Sequence, residues 1–154
     1  MALAASLLDK LIDNDPQSRE DKDFPLTQQL LIDNLLRDLE SMLNSRIGWR
    51  EVPFELKEAN KSILNYGLPD FSSMPFSSLQ GQGQLCGIVR AAIREFEPRL
   101  SSPVVNILQE KSAVDRTLRL QINATCLIGN SERDVTFNTE VEPVNLGMKL
   151  SRAK

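Results

Sequence analysis

The stretch LRLQINATCLIGNSERDVTFNTEV, residues 118–141, decides the fold of this chain. Its first half alternates apolar and polar residues with a period of two, which predicts a strand with one buried face. The apolar positions are Leu118, Leu120, Ile122, Ala124, Cys126 and Ile128. The period returns at Val135, Phe137, Thr139 and Val141, beyond a turn signal at Gly129-Asn130, so an antiparallel hairpin is expected. Val104 to Leu108 is expected to supply a neighbouring strand.

Two helical patterns precede these strands. The fold class is therefore predicted to be α+β, with N-terminal helices packed on a small C-terminal antiparallel β-sheet. The first pattern runs from about Thr27 to Asn44, with apolar residues at the i, i+3, i+4 spacing of a helix. This apolar stripe consists of Ile32, Leu35, Leu36, Leu39, Met42 and Leu43. Arg37, Asp38 and Glu40 are expected to face solvent.

The second helical pattern begins at Leu85 and ends before Pro98, which cannot continue a helix. Its stripe consists of Leu85, Ile88, Val89, Ala92, Ile93 and Phe96. Its exposed face is expected to carry Arg90, Arg94, Glu95 and Glu97 in ordinary surface ion pairs. Together the two stripes are expected to cover the apolar face of the sheet.

The region between the helices carries turn signals. Asn65-Tyr66-Gly67-Leu68-Pro69-Asp70 is predicted to be a turn, because Gly67 accepts a positive φ and Pro69 keeps Leu68 out of the helical region. Residues 71–84, rich in Ser, Gly and Gln, are expected to form a loop. This loop is interpreted either as a plain connection or as a partner-contacting segment.

The N-terminal region divides into an arm and a linker. Residues 1–13 are predicted to be an amphipathic helical arm, because leucines and isoleucine share one helical stripe. That stripe consists of Leu3, Leu7, Leu8, Leu11 and Ile12. Residues 14–25 are polar and acidic and are predicted to be a flexible linker, which leaves residues 26–154 as a single α+β domain. The arm docks either on a partner or on its own domain.

The composition excludes most hydrolase chemistry. The 154 residues include no histidine, which removes the usual general base, the Ser-His triad and the commonest zinc ligand. Cys86 and Cys126 lack metal-ligand spacing and are predicted to be reduced, buried thiols. Glu95 and Glu97 point in different directions at a helix end, so they do not form a glycoside-hydrolase pair. No cofactor-binding or metal-binding motif is present in the sequence, and a binding or structural role is expected.

The compartment is predicted to be cytoplasmic. Residues 1–12 lack a basic start and are interrupted by Asp9 and Lys10, which is not typical of a signal peptide. The sequence contains no run of about eighteen apolar residues, so no membrane insertion is expected. Its arginines are interleaved with glutamates instead of forming a dense basic patch, which argues against nucleic acid as a partner.

Four fragments in register resemble a known family. They are SLLDKL at 6–11, RDLE at 37–40 with LNSR at 43–46, LNYGLPDFSS at 64–73, and EPRL at 97–100. Together they look like the TssE family of type VI secretion system baseplate proteins. That family is related to the small wedge protein of contractile-phage baseplates, which is sometimes labelled lysozyme-like.

The resemblance implies a non-enzymatic protein of the secretion baseplate wedge, which connects the baseplate to the contractile tail sheath. It also implies that the C-terminal strands are similar to interlocking strands of sheath subunits, so that β-strand addition helps to initiate sheath polymerisation. The implied partners are the wedge subunits TssF, TssG and TssK and the sheath subunits TssB and TssC. Val104 to Leu108 and Val135 to Val141 are the candidates for the sheet edge.

The candidate partner-binding residues are Glu97, Pro98, Arg99, Leu7, Leu8, Leu11 and Tyr66. The resemblance implies that the Glu97-Pro98-Arg99 triplet contacts other wedge proteins, whereas an intramolecular ion pair is the alternative for its charges. Tyr66 either anchors a partner or fills the edge of the core. For the whole chain, the alternatives are a peptidoglycan-cleaving lysozyme-like enzyme and a generic cytoplasmic adaptor.

Overall fold

A computed structural model describes residues 27–48, 52–108, 118–128, 131–142 and 146–153, together with residues 9, 11, 12 and 17. The elements in chain order are helices α1 (Gln28–Asn44) and α2 (Lys57–Asn60), a 3₁₀ turn (Ile63–Asn65), helix α3 (Leu79–Phe96), and strands β1 (Leu100–Leu108), β2 (Leu118–Ile128), β3 (Ser131–Val141) and β4 (Met148–Arg152). The predicted linker at 14–25 and the Gly129-Asn130 turn lie outside the described residues, except for Gln17.

The strands form one antiparallel sheet in the order β1-β2-β3-β4, which confirms the α+β class. The predicted hairpin is confirmed: β2 and β3 pair over their full length, from Ile128 opposite Ser131 to Leu118 opposite Val141. The apolar positions of both strands point into one core. Helix α1 packs against β4 and α3 packs against β1, so the helices cover the apolar face of the sheet.

Strand β4 corrects the expectation about the sheet edges. Val135 to Val141 is not an edge, because β4 pairs with it from Val141 opposite Met148 to Phe137 opposite Arg152. The edges are β1, which contains the predicted Val104 to Leu108, and β4. The segment MKLSR has only two apolar residues, Met148 and Leu150, which is too short for a period of two to indicate a strand.

Helix α1 follows the predicted boundaries. The Thr27 hydroxyl accepts a hydrogen bond from the Leu30 N–H at 3.1 Å and caps the N-terminus. Five residues of the predicted stripe are buried, namely Ile32, Leu35, Leu39, Met42 and Leu43. Leu36 is partly buried and packs against the same core.

Helix α3 begins six residues earlier than predicted, at Leu79, so the expected loop ends at Ser78. The Ser78 hydroxyl accepts a hydrogen bond from the Gly81 N–H at 3.0 Å and caps the helix. A Cβ on Gly81 would lie 2.3 Å from the Pro75 carbonyl oxygen, so the chain approaches closely at this point and requires glycine. Gly81, one of the two glycines that made residues 79–84 resemble a loop, therefore serves the helix start.

The turn at residues 65–70 is confirmed and is fixed against the end of α1. Gly67 has φ +108°, and a Cβ there would lie 2.4 Å from the Ser45 carbonyl oxygen. The Leu68 N–H donates to that same oxygen at 2.9 Å, and the Ile47 N–H donates to the Leu68 carbonyl at 3.0 Å. Leu68 and Phe71 are thereby held in the core with no exposed surface.

Both cysteines are free thiols, which confirms that they are unpaired. Cys126 is buried in the sheet, whereas Cys86 is only half-buried on α3. Burial raises the pKa of each thiol. Within the described residues, no helix is long and apolar enough to cross a membrane.

Candidate functional site

The Glu97-Pro98-Arg99 triplet forms the junction between helix α3 and strand β1. Glu97 caps the C-terminus of α3: its N–H donates to the Ile93 carbonyl at 2.9 Å, and its own carbonyl accepts from the Leu100 N–H at 3.1 Å. The expectation that Glu97 lies on the exposed face is wrong, because only 6% of the residue is exposed. The backbone leaves the helix at Glu97, with φ −123° and ψ 79°, so its side chain departs from the solvent-facing side.

Arg99 binds the Glu97 carboxylate through two parallel hydrogen bonds. Its Nε donates to Oε1 and its Nη2 to Oε2, both at 2.6 Å. The Arg99 main-chain N–H also donates to Oε1, at 3.3 Å. This bidentate contact is the strongest geometry that a guanidinium and a carboxylate form. The Glu97 carboxylate raises the pKa of Arg99 further above its ordinary value, so the guanidinium remains charged.

Asp38 of helix α1 joins this pair from across the fold. Its Oδ2 accepts from Arg99 Nη2 at 2.9 Å, although the two residues stand 61 positions apart in sequence. The other oxygen, Oδ1, accepts from Arg37 Nε at 3.1 Å and from Arg37 Nη2 at 2.7 Å. This contact with Asp38 raises the pKa of Arg37. The expectation that Asp38 faces solvent is therefore wrong, because the residue ties α1 to the α3–β1 junction.

Asp9 extends the cluster to the predicted N-terminal arm. Its Oδ1 accepts from Arg37 Nη2 at 2.7 Å, and the Asp9 side chain is only 7% exposed. We call these five residues, Asp9, Arg37, Asp38, Glu97 and Arg99, the charged corner. Three carboxylates and two guanidiniums alternate in it, so each charge has an opposite neighbour within hydrogen-bond distance.

Tyr66 lies next to the charged corner. Its ring is half-buried and meets the Phe96 ring edge to face, with centroids 5.4 Å apart and an interplanar angle of 72°. Burial raises the pKa of the phenol, and the Asp38 and Glu97 carboxylates add to this effect while Arg99 opposes it. This packing supports the interpretation that Tyr66 fills the edge of the core.

The exposed part of the corner is suited to binding. About one third of the Arg99 side chain is exposed (34%), and Pro98 beside it is exposed. A guanidinium carries five N–H donors, of which the two on Nη1 make no hydrogen bond to any residue that the structure describes. The Arg99 guanidinium is therefore held by Glu97 and Asp38 and keeps two donors that no described residue uses.

The remaining predicted site residues are the leucines of the N-terminal arm. Leu7 and Leu8 lie outside the described residues, and Leu11 is 72% exposed. The sequence prediction missed Asp38 and Arg37. The signal was present, because Asp38 lies three residues after Leu35 and four before Met42, at the border of the apolar stripe.

Glu40 was also expected to face solvent, but it is partly buried. Its carboxylate Oε2 accepts a hydrogen bond from the Leu150 N–H of strand β4 at 3.0 Å. Carboxylates of α1 therefore contact both edges of the sheet. Asp38 binds Arg99, which precedes β1, and Glu40 binds the main chain of β4. No group of three or more cysteine, aspartate or glutamate side chains among the described residues is placed to hold a metal ion.

Comparisons with known proteins place this fold in a family. The family model described as "Baseplate wedge protein gp25" matches residues 29–131, which is more than half of the chain and includes four of the five corner residues. A chain of a solved structure, "The baseplate complex from the type VI secretion system", is 18% identical with a TM-score of 0.49, over 74% of this chain and 96% of that one. A search of curated proteins finds no significant match. The match of the family model confirms the resemblance seen in the sequence, and the chain belongs to the gp25 family of baseplate wedge proteins.

Proposed function

We propose that this protein is a non-enzymatic structural subunit of a type VI secretion system baseplate wedge. In this role it connects the baseplate to the contractile tail sheath and helps to initiate sheath polymerisation by β-strand addition. The observation that carries the proposal is the family match over residues 29–131, because that span includes four of the five residues of the charged corner and the first two strands of the sheet. The compartment that fits this role is the cytoplasm.

The proposed contacts follow from the geometry of the corner. The Arg99 Nη1 donors fit a carboxylate or carbonyl oxygen of a neighbouring wedge subunit, TssF, TssG or TssK. Glu97 and Pro98 act mainly by holding Arg99 in place, because the Glu97 oxygens already accept its hydrogen bonds. Tyr66 buttresses the same corner through Phe96. The sheath subunits TssB and TssC are the proposed partners of the sheet.

The chemistry of Glu97 supports the non-enzymatic role. A glycoside hydrolase needs one carboxylic acid that gives a proton to the leaving group and a second carboxylate across the scissile bond. Both Glu97 oxygens instead accept hydrogen bonds from the Arg99 guanidinium, so they are already occupied within the chain. Glu95, the nearest other carboxylate in sequence, is exposed on α3.

The proposal is tested by recovering partners from the native cytoplasm with the tagged full chain. We expect wedge and sheath subunits with the wild type and with Arg94→Ala, a control at an exposed arginine of the last turn of α3. We expect Arg99→Ala to recover at least tenfold less of the wedge subunits. Recovery of neither wedge nor sheath subunits with the wild type would overturn the proposal.

A folding control accompanies this experiment, because Arg99→Ala leaves the Glu97 carboxylate buried without its partner. Loss of a charged hydrogen-bond partner costs about 1–3 kcal/mol, which reduces stability without unfolding the domain. Arg99→Lys is the second variant, because it keeps the charge and loses the bidentate fork. If Arg99→Ala loses its helical circular-dichroism signal while Arg99→Lys binds like the wild type, the residue is structural and the contact proposal is wrong.

The N-terminal arm is proposed to dock on a neighbouring wedge subunit through Leu7, Leu8 and Leu11. The exposed Leu11 side chain supports this, whereas the Asp9 contact with Arg37 supports docking on its own domain. Deletion of residues 1–13 is expected to reduce recovery of wedge subunits by at least fivefold. Undiminished recovery with this deletion would restrict the arm to its own domain.

A further inference from the structure

The described residues of the N-terminal arm have the reverse of the burial that an amphipathic helix normally shows. Asp9 and Leu11 are both helical, and Leu11 belongs to the predicted apolar stripe. An amphipathic helix that packs on its own domain buries its apolar side and exposes its charged side. Here the Asp9 side chain is only 7% exposed, whereas Leu11 is 72% exposed. A charged side chain therefore holds the arm on the domain, and Leu11 faces away.

The helical period explains the difference between Asp9 and Leu11. Successive residues of an α-helix are about 100° apart around its axis, so residues 9 and 11 lie about 200° apart, on nearly opposite sides. In the sequence Leu7 precedes Leu11 by four residues, which predicts that it shares the side of Leu11. The pattern therefore predicts that the apolar stripe is on the outer side of an arm that Asp9 holds.

An ion pair with helix α1 holds Asp9. The Asp9 Oδ1 accepts from Arg37 Nη2 at 2.7 Å, and the same Nη2 donates to Asp38 Oδ1 at 2.7 Å. Because the Arg37 side chain is 41% exposed, solvent screens this pair, and exposed ion pairs contribute little to stability. Asp9 can therefore leave Arg37 without breaking the contacts that Asp38 makes with Arg37 and Arg99.

The net charge of the charged corner depends on Asp9. With Asp9 in place, three carboxylates accompany two guanidiniums, so the corner carries one net negative charge. Without Asp9, the carboxylates of Asp38 and Glu97 balance the two guanidiniums. A partner carboxylate that approaches the Nη1 donors of Arg99 is repelled by a net negative site and not by a neutral one. The departure of Asp9 therefore favours the contact proposed for Arg99.

The exposed Leu11 side chain provides a second reason for the arm to leave. Burial of a leucine side chain on another protein stabilises a complex more than a partly exposed ion pair stabilises a free chain. An apolar groove on a partner therefore competes successfully with Arg37 for the arm. In the free chain the ion pair decides the position of the arm, because Leu11 lies in solvent there.

We propose that the Asp9–Arg37 ion pair is a latch, which holds the N-terminal arm on the charged corner of the free chain and opens when a neighbouring wedge subunit binds Arg99. The released arm then docks with its apolar side, including Leu11, in an apolar groove of that same subunit. This inference rests on the proposed function and adds its regulation. Binding at Arg99 and docking of the arm favour each other, because both require Asp9 to leave Arg37.

The latch is tested in the full chain alone by amide hydrogen exchange at Leu11 and Ile12. Asp9→Asn removes the charge of the arm, and Arg37→Gln removes its partner on α1. We expect each substitution to accelerate exchange about threefold, and the double variant to exchange no faster than Asp9→Asn alone. Additive effects of the two substitutions, or no effect of Arg37→Gln, would overturn the latch.

Arg37→Gln is needed because Asp9 also lies at capping-box spacing from Ser6, so Asp9→Asn by itself removes a stabilising group from the helix start. Asp33→Asn is the matched control. Asp33 is an exposed carboxylate of the same helix α1, and it pairs with Arg152 instead. This control should leave exchange at Leu11 and Ile12 unchanged. Equal acceleration by Asp33→Asn would show that the arm responds to net charge, and would also overturn the latch.

The opening of the latch is tested by the affinity of the full chain for the purified wedge subunits TssF, TssG and TssK. We expect Asp9→Asn to bind about threefold more tightly than the wild type, because no ion pair has to break first. Asp33→Asn should bind like the wild type. Leu11→Ser in the Asp9→Asn background should cancel the gain, because the released arm docks through this side chain. A gain that survives Leu11→Ser would overturn docking of the apolar side.

Failure of the latch and failure of the proposed function are distinguishable. Binding by the wild type without any gain for Asp9→Asn would overturn the latch and leave the proposed function intact. No binding of the wild type to any of these wedge subunits would overturn the proposed function and the partner named for the arm, whatever the exchange at Leu11 shows.

Discussion

Among individual side chains, the corner residues divide into those that sequence reasoning found and those that it missed. Glu97, Pro98 and Arg99 stood out because they belong to one of the fragments that carry the resemblance to the baseplate family. Asp38 did not, because its partner is 61 residues away and a helical pattern describes only one helix at a time. The pattern placed Asp38 on the border of the apolar stripe, but contact with Arg99 depends on how α1 packs.

The phenol of Tyr66 provides a pH test of this corner. Burial and the neighbouring carboxylates disfavour phenolate, so the pKa of Tyr66 in the folded chain lies above its ordinary value of 10.0. Neutral Tyr66 therefore contributes fully to the free energy of unfolding below about pH 10. This contribution is lost as the pH rises through the pKa of Tyr66 in the folded chain. Tyr66 is the only tyrosine of the sequence, so the near-ultraviolet absorbance of tyrosinate reports it alone.

We expect the absorbance midpoint of the folded chain to exceed that of the chain unfolded in urea. Tyr66→Phe is the matched variant, and it should flatten the alkaline part of the stability profile. An equal or lower midpoint in the folded chain would show that the ring is not held beside Phe96 and the carboxylates.

Thr139 on β3 is a second test at a single side chain. Its hydroxyl is fully buried and has no hydrogen-bond partner within the part of the chain that the structure describes. Thr139→Val removes this unpaired group at nearly constant shape, so the free energy of unfolding should rise by about 1 kcal/mol in urea denaturation.

Thr136→Val on the same strand is the control for Thr139→Val. The Thr136 hydroxyl donates to Asn123 Oδ1 at 2.9 Å, so its removal should lower the free energy of unfolding or leave it unchanged. Equal destabilisation by both substitutions would contradict the assignment of Thr139 as unpaired.

Among the helices and strands, the elements with long regular periods were predictable and the short or glycine-containing ones were not. Helix α1 and the β2–β3 hairpin each carry many repeats of one period, so local pattern and tertiary packing agree. Strand β4 has two apolar residues and forms because β3 and α1 satisfy its main chain on both sides. No local pattern contains that information.

The start of α3 gives a prediction for this element. Gly83 lies inside the helix with open space around it, so Gly83→Ala should raise the free energy of unfolding by about 0.5–1 kcal/mol. Gly81→Ala should lower it, because the new Cβ would lie 2.3 Å from the Pro75 carbonyl oxygen. Urea denaturation measures both, and stabilisation by both would contradict the close approach at Gly81.

In the molecule as a whole, helix α1 connects the charged corner with strand β4. One side of it holds Arg99 through Asp38, and Glu40 and Asn44 near its C-terminus cover β4. The contact proposed for Arg99 therefore depends on the position of α1. The sequence predicts the fold class and singles out the Glu97-Pro98-Arg99 triplet. The hydrogen bonds between α1 side chains and β4 join residues about one hundred positions apart, so no local pattern predicts them.

The most direct measurement is an electron cryomicroscopy structure of the assembled baseplate that contains this chain. The account predicts that the chain lies in the wedge, with Arg99 Nη1 within hydrogen-bond distance of a neighbouring subunit. Where the sheath is attached, it also predicts that a sheath subunit adds a strand to the sheet. Absence of the chain from the wedge, or a position in the wedge that leaves Arg99 facing solvent, would contradict the account.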